Sequence, residues 1–382
     1  PGTFDGPQRV GEVFSRVERS YVDEIGAEEL SRAAVAGMLA ELDSYSRHLD
    51  GEGYTRLLEN ISGEYAGIGV RVSRPAKSDT LEIVWVEPGG PAYRAGLTAG
   101  DLVIAVSGVS VAGRPLERIV GDVRGEPGTS VRLRVRRAGG SVETIEVVRA
   151  HIRNRTVHGR AIGRTGVIHL ERFGDRAARE LRGEIARLDA AADGDLAGWV
   201  LDLRGNPGGL LTQSVAVADL FLEGGEIVAT AARGQEIEAW QAGPGSAIGS
   251  RPLAVLIDGE TASAAEIVAA ALQDHGRARL VGRTSFGKGS VQSIEPLASG
   301  GALRLTIAHY RTPAGRLLAA NGVEPDVHVP LPEIDVEARA DHGSAAFEPG
   351  QTSAGRRFTG ERLDPDLIAA LADLEARYAA PE

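Results

Sequence analysis

The sequence has 382 residues, which is too long for one ordinary domain, so we expect two or three domains. Its 53 acidic and 42 basic residues give a net charge of -11, which argues against a general nucleic-acid-binding protein. Cysteine is absent, and this excludes disulfides, a thiol nucleophile and thiolate metal sites. No apolar run approaches the roughly 20 residues that span a bilayer. The sequence begins at Pro1 rather than Met, so we expect that a signal peptide or membrane anchor has been removed, with membrane contact only through that segment.

Residues 1–61 predict an N-terminal helical region. In EELSRAAVAGMLAEL the apolar residues Leu30, Ala34, Met38 and Leu42 recur every four positions and form one face of a helix. We interpret this region as a packing arm, and we expect it to make the protein a dimer.

Residues 62–150 predict a small β-rich domain. Its β-prone runs are separated by Gly, Pro and Asp turns, and they read AGIGVRV, LEIVWVEP, DLVIAVSGVSV, SVRLRVRR and VETIEVV. Two short helical segments, PAYRAGL and PLERIVGDVRG, lie between these runs.

Residues 151–335 predict an α/β core, because strands and helices alternate along them. GWVLDLR runs into GNPGG and a helix, and LAVLID runs into GETAS and another helix. In such units ligands bind at the carboxyl ends of the strands. Residues 336–382 predict a polar extension that ends in an amphipathic helix, LDPDLIAALADLEARYA.

Lysine is rare in this chain, and its position in GRTSFGKGS is informative. Forty of the basic residues are arginine, and only Lys77 and Lys288 are lysine. Arginine stays protonated in proteins, whereas lysine can act as a general base when burial or nearby positive charge lowers its pKa. The stretch also resembles a phosphate-binding loop, but Gly289 stands where Ser or Thr would bind magnesium, and β-prone SVQSIEPL follows instead of a helix. We therefore favour a base over a nucleotide site.

Ser263 in DGETASAAEI is the candidate nucleophile. It follows an apolar strand and opens a helix, where free N–H groups and the helix dipole favour developing negative charge. Ser263 and Glu266 also fit a capping box, which is a purely structural alternative. We interpret Asp258, Thr261 and Glu266 as turn and cap residues.

The glycine loop in DLRGNPGGL is the candidate oxyanion hole. An oxyanion hole needs two donors aimed at one point, and the backbone N–H groups of Gly209 and Ala264 are suitable. A tight strand-to-helix turn would explain one or two of the glycines without function.

The histidines offer no competing site. His169, His275 and His309 have no motif that supports a Ser-His-Asp triad. The eight histidines show no metal-binding spacing, and we expect neither a metal nor another cofactor.

Seven ordered blocks between about residues 10 and 330 resemble one family, the carboxyl-terminal processing proteases. These are tail-specific serine peptidases with a Ser–Lys dyad and a PDZ domain. The blocks are GMLAELDSYSRHL, YAGIGV, VEPGGPAYRAGLTAGDLVIAVSG, LDLRGNPGG, TASAAEIVAAALQD, GRTSFGKGSVQ and NGVEPDVHVP. Three departures are mild: Ala265 stands where the family often has Ser, Asp258 where it often has Asn, and Ser44 where it often has Pro.

The resemblance implies a multidomain α+β fold with an N-terminal helical region, a β-rich PDZ domain and an α/β protease core of the ClpP/crotonase-like type. It implies that Ser263 is the nucleophile, Lys288 the general base and Gln292 the residue that orients Lys288. Gly209 and Ala264 would form the oxyanion hole, although the choice of glycine in GNPGG stays open. These implications favour a serine endopeptidase that acts on unstructured or C-terminal segments of proteins.

The resemblance also implies that the PDZ domain binds the C-termini of protein or peptide substrates by strand addition. The carboxylate loop would be Gly67, Ile68, Gly69 and Val70. From its position in VRGEPGT, we expect Arg124 either to pair with the bound carboxylate or to dock the PDZ domain onto the core, although an ordinary surface arginine explains it equally simply. An adaptor protein and an extracytoplasmic location, in the bacterial periplasm or cell envelope, follow from the family alone. The main alternative is a PDZ scaffold whose protease core is inactive or adaptor-gated.

Overall fold

The computed structural model describes residues 6–75, 78–153, 155–233, 235–318, 321–330 and 364–378. The chain forms two units, one of residues 62–155 and the other of residues 1–61 together with 156–382. The part of the predicted extension before residue 364 lies outside the described residues.

The N-terminal region contains three helices and one short strand. They are α1 (Gly6–Ser20), α2 (Ala27–Ala40), β1 (Arg47–Leu49) and α3 (Gly51–Ser62). Neither α1 nor α2 has a buried residue. The strand interrupts the predicted helical run because residues 47–49 pair antiparallel with a distant strand, where Arg47 lies opposite Arg304.

The unit of residues 62–155 contains two antiparallel sheets and two short helices. Its strands are β2 (Glu64–Gly67), β3 (Val70–Ser73), β4 (Leu81–Val86), β5 (Leu102–Val106), β6 (Val109–Ser110), β7 (Ser130–Arg136), β8 (Val142–Val148) and β9 (Ala150–Arg153). The order is β3-β4-β5-β7-β8 with β6 on β5, while β2 pairs with β9. Between the strands lie α4 (Pro91–Arg94) and α5 (Leu116–Val123). Along β7 the residues alternate between exposed and buried, which is the pattern of a sheet with one face in the core.

The other unit contains two further sheets. The strands are β10 (Val157–Ile162), β11 (Thr165–Leu170), β12 (Gly198–Asp202), β13 (Gly225–Ala232), β14 (Gln235–Ala242), β15 (Leu253–Ile257), β16 (Ala278–Gly282), β17 (Ser290–Pro296), β18 (Ala302–Arg311) and β19 (Val327–His328). The helices are α6 (Ala177–Ala191), α7 (Leu211–Asp219), α8 (Ala264–Asp274) and α9 (Pro365–Tyr378).

The central sheet has the order β10-β11-β12-β15-β16-β19 and is parallel except at β10. Apolar residues fill both faces, as in parallel sheets covered by helices. Leu201, Val255 and Leu280 share a core with residues of α6, α7 and α8. On the other face, buried residues of β11, β12, β15 and β16 share a core with α9 through Leu367, Ala370 and Leu374. The carboxyl ends of β12, β15 and β16 meet at one edge, because Asp202 pairs with Leu256 and Ile257 with Gly282.

The second sheet has the order β1-β18-β13-β14, with β17 also on β18, and all its pairs are antiparallel. It brings the N-terminal β1 to the same long strand that supports β17. The predicted multidomain α+β class is confirmed, with a helical arm, a β-rich unit and an α/β core. Within the described part of the chain, no helix is long and apolar enough to cross a membrane.

Candidate active site

The turn between β15 and α8 presents Ser263 at the edge of the central sheet. Ser263 has φ 57° and ψ -117°, a conformation that costs a non-glycine residue about 1–3 kcal/mol. Strained turns of this kind expose a nucleophile at the top of a strand. The Ser263 turn, residues 258–263, therefore presents the serine as its sequence position predicted.

Hydrogen bonds from neighbouring loops hold the Ser263 turn. Ala262 N–H donates to the Asn206 carbonyl at 2.9 Å, and Thr261 Oγ1 donates to the Leu203 carbonyl at 2.9 Å. Asp258 accepts from the N–H of Gly205 at 3.0 Å. The turn residues predicted from the sequence thus fasten the Ser263 turn to the glycine loop.

The glycine loop, residues 205–209, lies against Ser263. Gly208 has φ 98°, and a Cβ there would lie 2.8 Å from Ser263 Cβ. Its N–H donates to Asn206 Oδ1 at 2.9 Å, so this group is already occupied. Only glycine fits this close approach.

Gly209 offers a different N–H group. It forms a parallel bridge with Phe173, in which Phe173 N–H donates to the Gly208 carbonyl and Leu210 N–H donates to the Phe173 carbonyl. This pattern turns the Gly209 N–H away from Phe173. Within the described ranges neither this N–H nor that of Ala264, the first residue of α8, has a hydrogen-bond acceptor. These two N–H groups are therefore available as hydrogen-bond donors.

The base loop, residues 283–289, is fastened to the Ser263 turn by one buried carboxylate. Glu266, which is 0% exposed, accepts from the N–H groups of Ser263 at 2.7 Å and Lys288 at 2.8 Å through the same oxygen, Oε2. Its Oε1 accepts from Gly287 N–H at 2.7 Å and Ser285 Oγ at 2.5 Å. The backbones of Ser263 and Lys288 are thereby held within two hydrogen-bond lengths of each other.

Lys288 is half-buried in a positively charged environment. Burial is the largest cause that lowers its pKa, followed by the charges of Arg304 and Arg47, and the pKa falls to about 8 although Glu266 opposes the shift. Its Nζ lies 5.0 Å from the centroid of the Tyr45 ring, and no hydrogen bond joins it to any described residue. A large neutral fraction is therefore present at mildly alkaline pH.

Gln292 lies on β17, four residues after Lys288, and bonds elsewhere in this structure. Its Oε1 accepts from Arg304 Nε, and its amide nitrogen lies 3.5 Å from Thr306 Oγ1. Gln292 is therefore close to one of the arginines that lower the pKa of Lys288.

The three candidate histidines lie at other places in the fold. His169 lies on β11 with Nδ1 3.8 Å from an Asp202 oxygen. His275 bonds the Glu226 carbonyl at 2.7 Å, and His309 pairs with Ser290 and Ala231 across the second sheet.

A groove in the unit of residues 62–155 contains every residue predicted to bind peptide. Its apolar lining includes Ile68 and Val70 on one side and Ile119 and Val123 of α5 on the other, with Arg124 at the end of α5. Arg124 lies 5.0 Å from the Tyr65 ring centroid, which is a cation–π distance. Within the described residues the N–H groups of Ile68 and Gly69 have no hydrogen-bond acceptor.

Comparisons with known proteins match both parts of this arrangement. Residues 164–329 match the model of peptidase family S41, and residues 82–137 match a PDZ domain model. A carboxy-terminal-processing protease from Bartonella bacilliformis is 39% identical over 336 residues, which are 87% of this chain and 77% of that protein.

The chain belongs to the carboxy-terminal-processing proteases of peptidase family S41.

A solved structure of the photosystem II D1 C-terminal processing protease is similar to this S41 peptidase. It has a TM-score of 0.51 and 26% identity, and the match covers 88% of this chain and 96% of that one. The chain is therefore a serine-type peptidase with a PDZ domain, as the resemblance implied.

Four residues that contact or surround the candidate site residues were not identified from the sequence. Glu266 was interpreted only as a cap, although the capping-box pattern did predict its contact with Ser263 N–H. Tyr45, Arg47 and Arg304 lie far from Lys288 in the sequence, and the pairing of β1 with β18 brings them near it. The rarity of lysine favoured a base at Lys288, but no sequence pattern placed Tyr45, Arg47 or Arg304 beside it.

Proposed function

We propose that the protein is a serine endopeptidase that recognises unstructured C-terminal segments of proteins through its PDZ domain and cleaves them by a Ser263–Lys288 dyad. The observation that carries the proposal is the fastening of the base loop to the Ser263 turn by Glu266. It is supported by the pKa of about 8 at Lys288, because a lysine must be neutral to accept a proton.

The reaction starts when neutral Lys288 Nζ accepts the proton of Ser263 Oγ. The Oγ–carbonyl carbon bond forms, and the carbonyl oxygen takes the negative charge and accepts hydrogen bonds from Gly209 and Ala264 N–H. Lys288 returns the proton to the leaving amine as the peptide bond breaks. A water molecule then loses a proton to Lys288 and attacks the acyl-enzyme carbonyl carbon. The Oγ–acyl bond breaks, the acid leaves, and Lys288 returns the proton to Ser263 Oγ, which restores neutral Lys288.

The dyad requires two side-chain movements, one of Lys288 and one of Gln292. Lys288 Nζ lies over Tyr45 in this structure and must come within hydrogen-bonding distance of Ser263 Oγ. Gln292 would then have to exchange its bond with Arg304 for one to Lys288. The structure is consistent with a resting state that substrate converts to the reactive one.

The position of Lys288 Nζ over Tyr45 favours a second candidate, a PDZ scaffold whose core stays inactive or waits for an adaptor. Such a protein would bind C-terminal peptides without turnover. The strained Ser263, the two available N–H groups and the lowered pKa of Lys288 make this alternative weaker, since none of them is needed for binding.

The PDZ groove suits a peptide that ends in an apolar residue. Its lining is apolar, and the N–H groups of Ile68 and Gly69 are available for a terminal carboxylate. A dimer is supported by the exposed apolar residues of the arm, such as Val10, Val13 and Met38. The adaptor and the extracytoplasmic location stay predictions from the family.

Product analysis tests the proposed function. β-Casein, an unstructured protein, is incubated with wild type, Ser263→Ala and Lys288→Arg, and the fragments are identified by mass spectrometry. We expect fragments with wild type alone. Cleavage that survives Ser263→Ala would reject Ser263 as the nucleophile, and no cleavage by wild type, together with binding of C-terminal peptides, would favour the scaffold.

A further inference from the structure

Buried and partly buried charged residues lie at the base of the glycine loop and the base loop. We call Asp202, Arg204, Arg283, Asp364 and Asp366 the charge cluster. Arg204 and Asp202 are each 1% exposed, and their side chains form two hydrogen bonds, at 2.9 and 2.7 Å. Arg204 also donates to Asp364 at 2.6 Å and to Asp366 at 3.0 Å.

The two arginines of the charge cluster are in contact with the loops that bear the chemistry. Arg204 directly precedes Gly205, the first residue of the glycine loop, and Arg283 is the first residue of the base loop. Arg283 donates two hydrogen bonds to Asp366, at 2.7 and 2.8 Å. Asp366 therefore joins the starts of the two loops through one carboxylate.

Asp364 and Asp366 both belong to the start of α9. Asp364 caps this helix, because its carboxylate accepts from Leu367 N–H at 3.0 Å, and Pro365 follows at the first helical position. Leu367, Ala370 and Leu374 are buried against the central sheet. The helix thus has a fixed position, and it presents two carboxylates to the two arginines.

The Asp366 carboxylate is ionised although burial opposes its charge. Burial alone would raise the pKa of Asp366, but hydrogen bonds from Arg283 and Arg204 outweigh it and keep the carboxylate ionised. Buried ion pairs add little to stability compared with apolar residues of similar size, and in some proteins they serve to fix one arrangement.

We propose that α9 is a positioning element of the active site, in which Asp366, assisted by Asp364, sets the places of the glycine loop and the base loop through Arg204 and Arg283. This inference rests on the proposed Ser263–Lys288 chemistry. Asp366 touches no reacting atom. It acts on kcat because misplacement of catalytic groups by about 1 Å can slow a reaction about 100-fold.

The test compares two variants of one helix in the full chain. Asp366→Asn removes the shared carboxylate charge. The matched control, Asp373→Asn, removes a carboxylate of α9 that is 8% exposed and pairs with Arg279 at 2.6 Å, away from both loops. For each variant kcat and KM are measured on β-casein, together with the midpoint of thermal unfolding. The second-order rate of inactivation by phenylmethylsulfonyl fluoride reports the alignment of serine and oxyanion hole.

We expect Asp366→Asn to lose about 10- to 100-fold in kcat and in the inactivation rate, with KM within twofold of wild type. Asp373→Asn should keep kcat and the inactivation rate within twofold of wild type, even if its unfolding midpoint is similar to that of Asp366→Asn. Asp366→Glu should recover part of the activity that Asp366→Asn loses. Equal kcat in the two Asn variants would overturn the inference.

Two additions keep the result decisive. If Asp366→Asn does not fold, Asp364→Asn is measured instead, and an unchanged kcat in that variant would overturn the inference. Ser263→Ala is assayed alongside. If it still cleaves β-casein, the proposed function fails and the inference falls with it, whereas an inactive Ser263→Ala beside a fully active Asp366→Asn rejects the inference alone.

Discussion

The pH dependence of cleavage follows from the environment of Lys288. With a pKa of about 8, about 9% of Lys288 is neutral at pH 7, whereas an unperturbed lysine of pKa 10.5 would be about 0.03% neutral. The environment therefore increases the reactive form by about 300-fold at neutral pH. Because the base must be neutral, kcat/KM should rise with pH, tenfold per unit well below pH 8, and level off above it.

Arg47→Gln isolates one cause of this shift. Arg47 lies on β1, and its charge disfavours protonated Lys288. Its removal should raise the pKa of Lys288 and move the acid limb of kcat/KM to higher pH. The control is Arg56→Gln, because Arg56 is an exposed residue of α3 that pairs with Glu52 and has no part in the shift.

The assay is kcat/KM for β-casein between pH 6 and 10, with thermal unfolding measured at each pH to confirm folding. We expect the acid limb of kcat/KM to be centred near pH 8 in wild type and in Arg56→Gln. In Arg47→Gln its centre should lie at a higher pH. A flat profile, a limb centred near 10.5, or a shift to lower pH in Arg47→Gln would refute the assignment of Lys288 as a base tuned by nearby arginines.

Three further predictions concern other parts of the site. Glu266→Gln should lower kcat at least 10-fold and lower the free energy of unfolding in urea by about 2–4 kcal/mol, because a buried acceptor of four hydrogen bonds loses its charge. Wild-type values of both kcat and the unfolding free energy would contradict this role. Gly209→Ala should lower kcat about 100-fold or more, since the new Cβ would lie 2.3 Å from the Phe173 carbonyl oxygen and displace an oxyanion donor. A fully active variant would indicate that another glycine of the loop is the oxyanion donor. Arg124→Ala should weaken the binding of a peptide with a free C-terminal carboxylate, measured by calorimetry, and leave the affinity for the amidated peptide unchanged. Equal weakening for both peptides would show that Arg124 does not recognise the carboxylate.

Local sequence patterns predicted much of the fold. Alternation and turn residues identified β3 to β8 of the β-rich unit, and strand–loop–helix units identified β11, β12, β15 and β16 of the central sheet. The run SVQSIEPL forms β17 rather than a helix, which agrees with the argument against a phosphate loop. Short-range patterns succeed here because hairpins, caps and helix faces depend on residues close in the sequence.

Long-range pairing explains what the sequence did not reveal. β1 is only three residues long and lies between helices, and its strand conformation depends on β18. Tyr45, two residues before β1, lies near Lys288 although the two are far apart in the sequence. The second function of Glu266, as an acceptor for the base loop, requires residues 285–288 to fold back onto α8. Asp366 reads as the second residue of a terminal helix, and its two arginine partners lie on separate loops.

Mapping of a covalent adduct tests the Ser263–Lys288 dyad most directly. A fluorophosphonate reagent is reacted with wild type, Ser263→Ala and Lys288→Arg at several pH values, and the modified residue is located by tandem mass spectrometry. We predict one adduct, on Ser263, whose rate of formation rises through pH 8 in wild type, stays near background in Lys288→Arg and is absent from Ser263→Ala. An adduct on another residue, or equal rates in wild type and Lys288→Arg, would contradict the dyad.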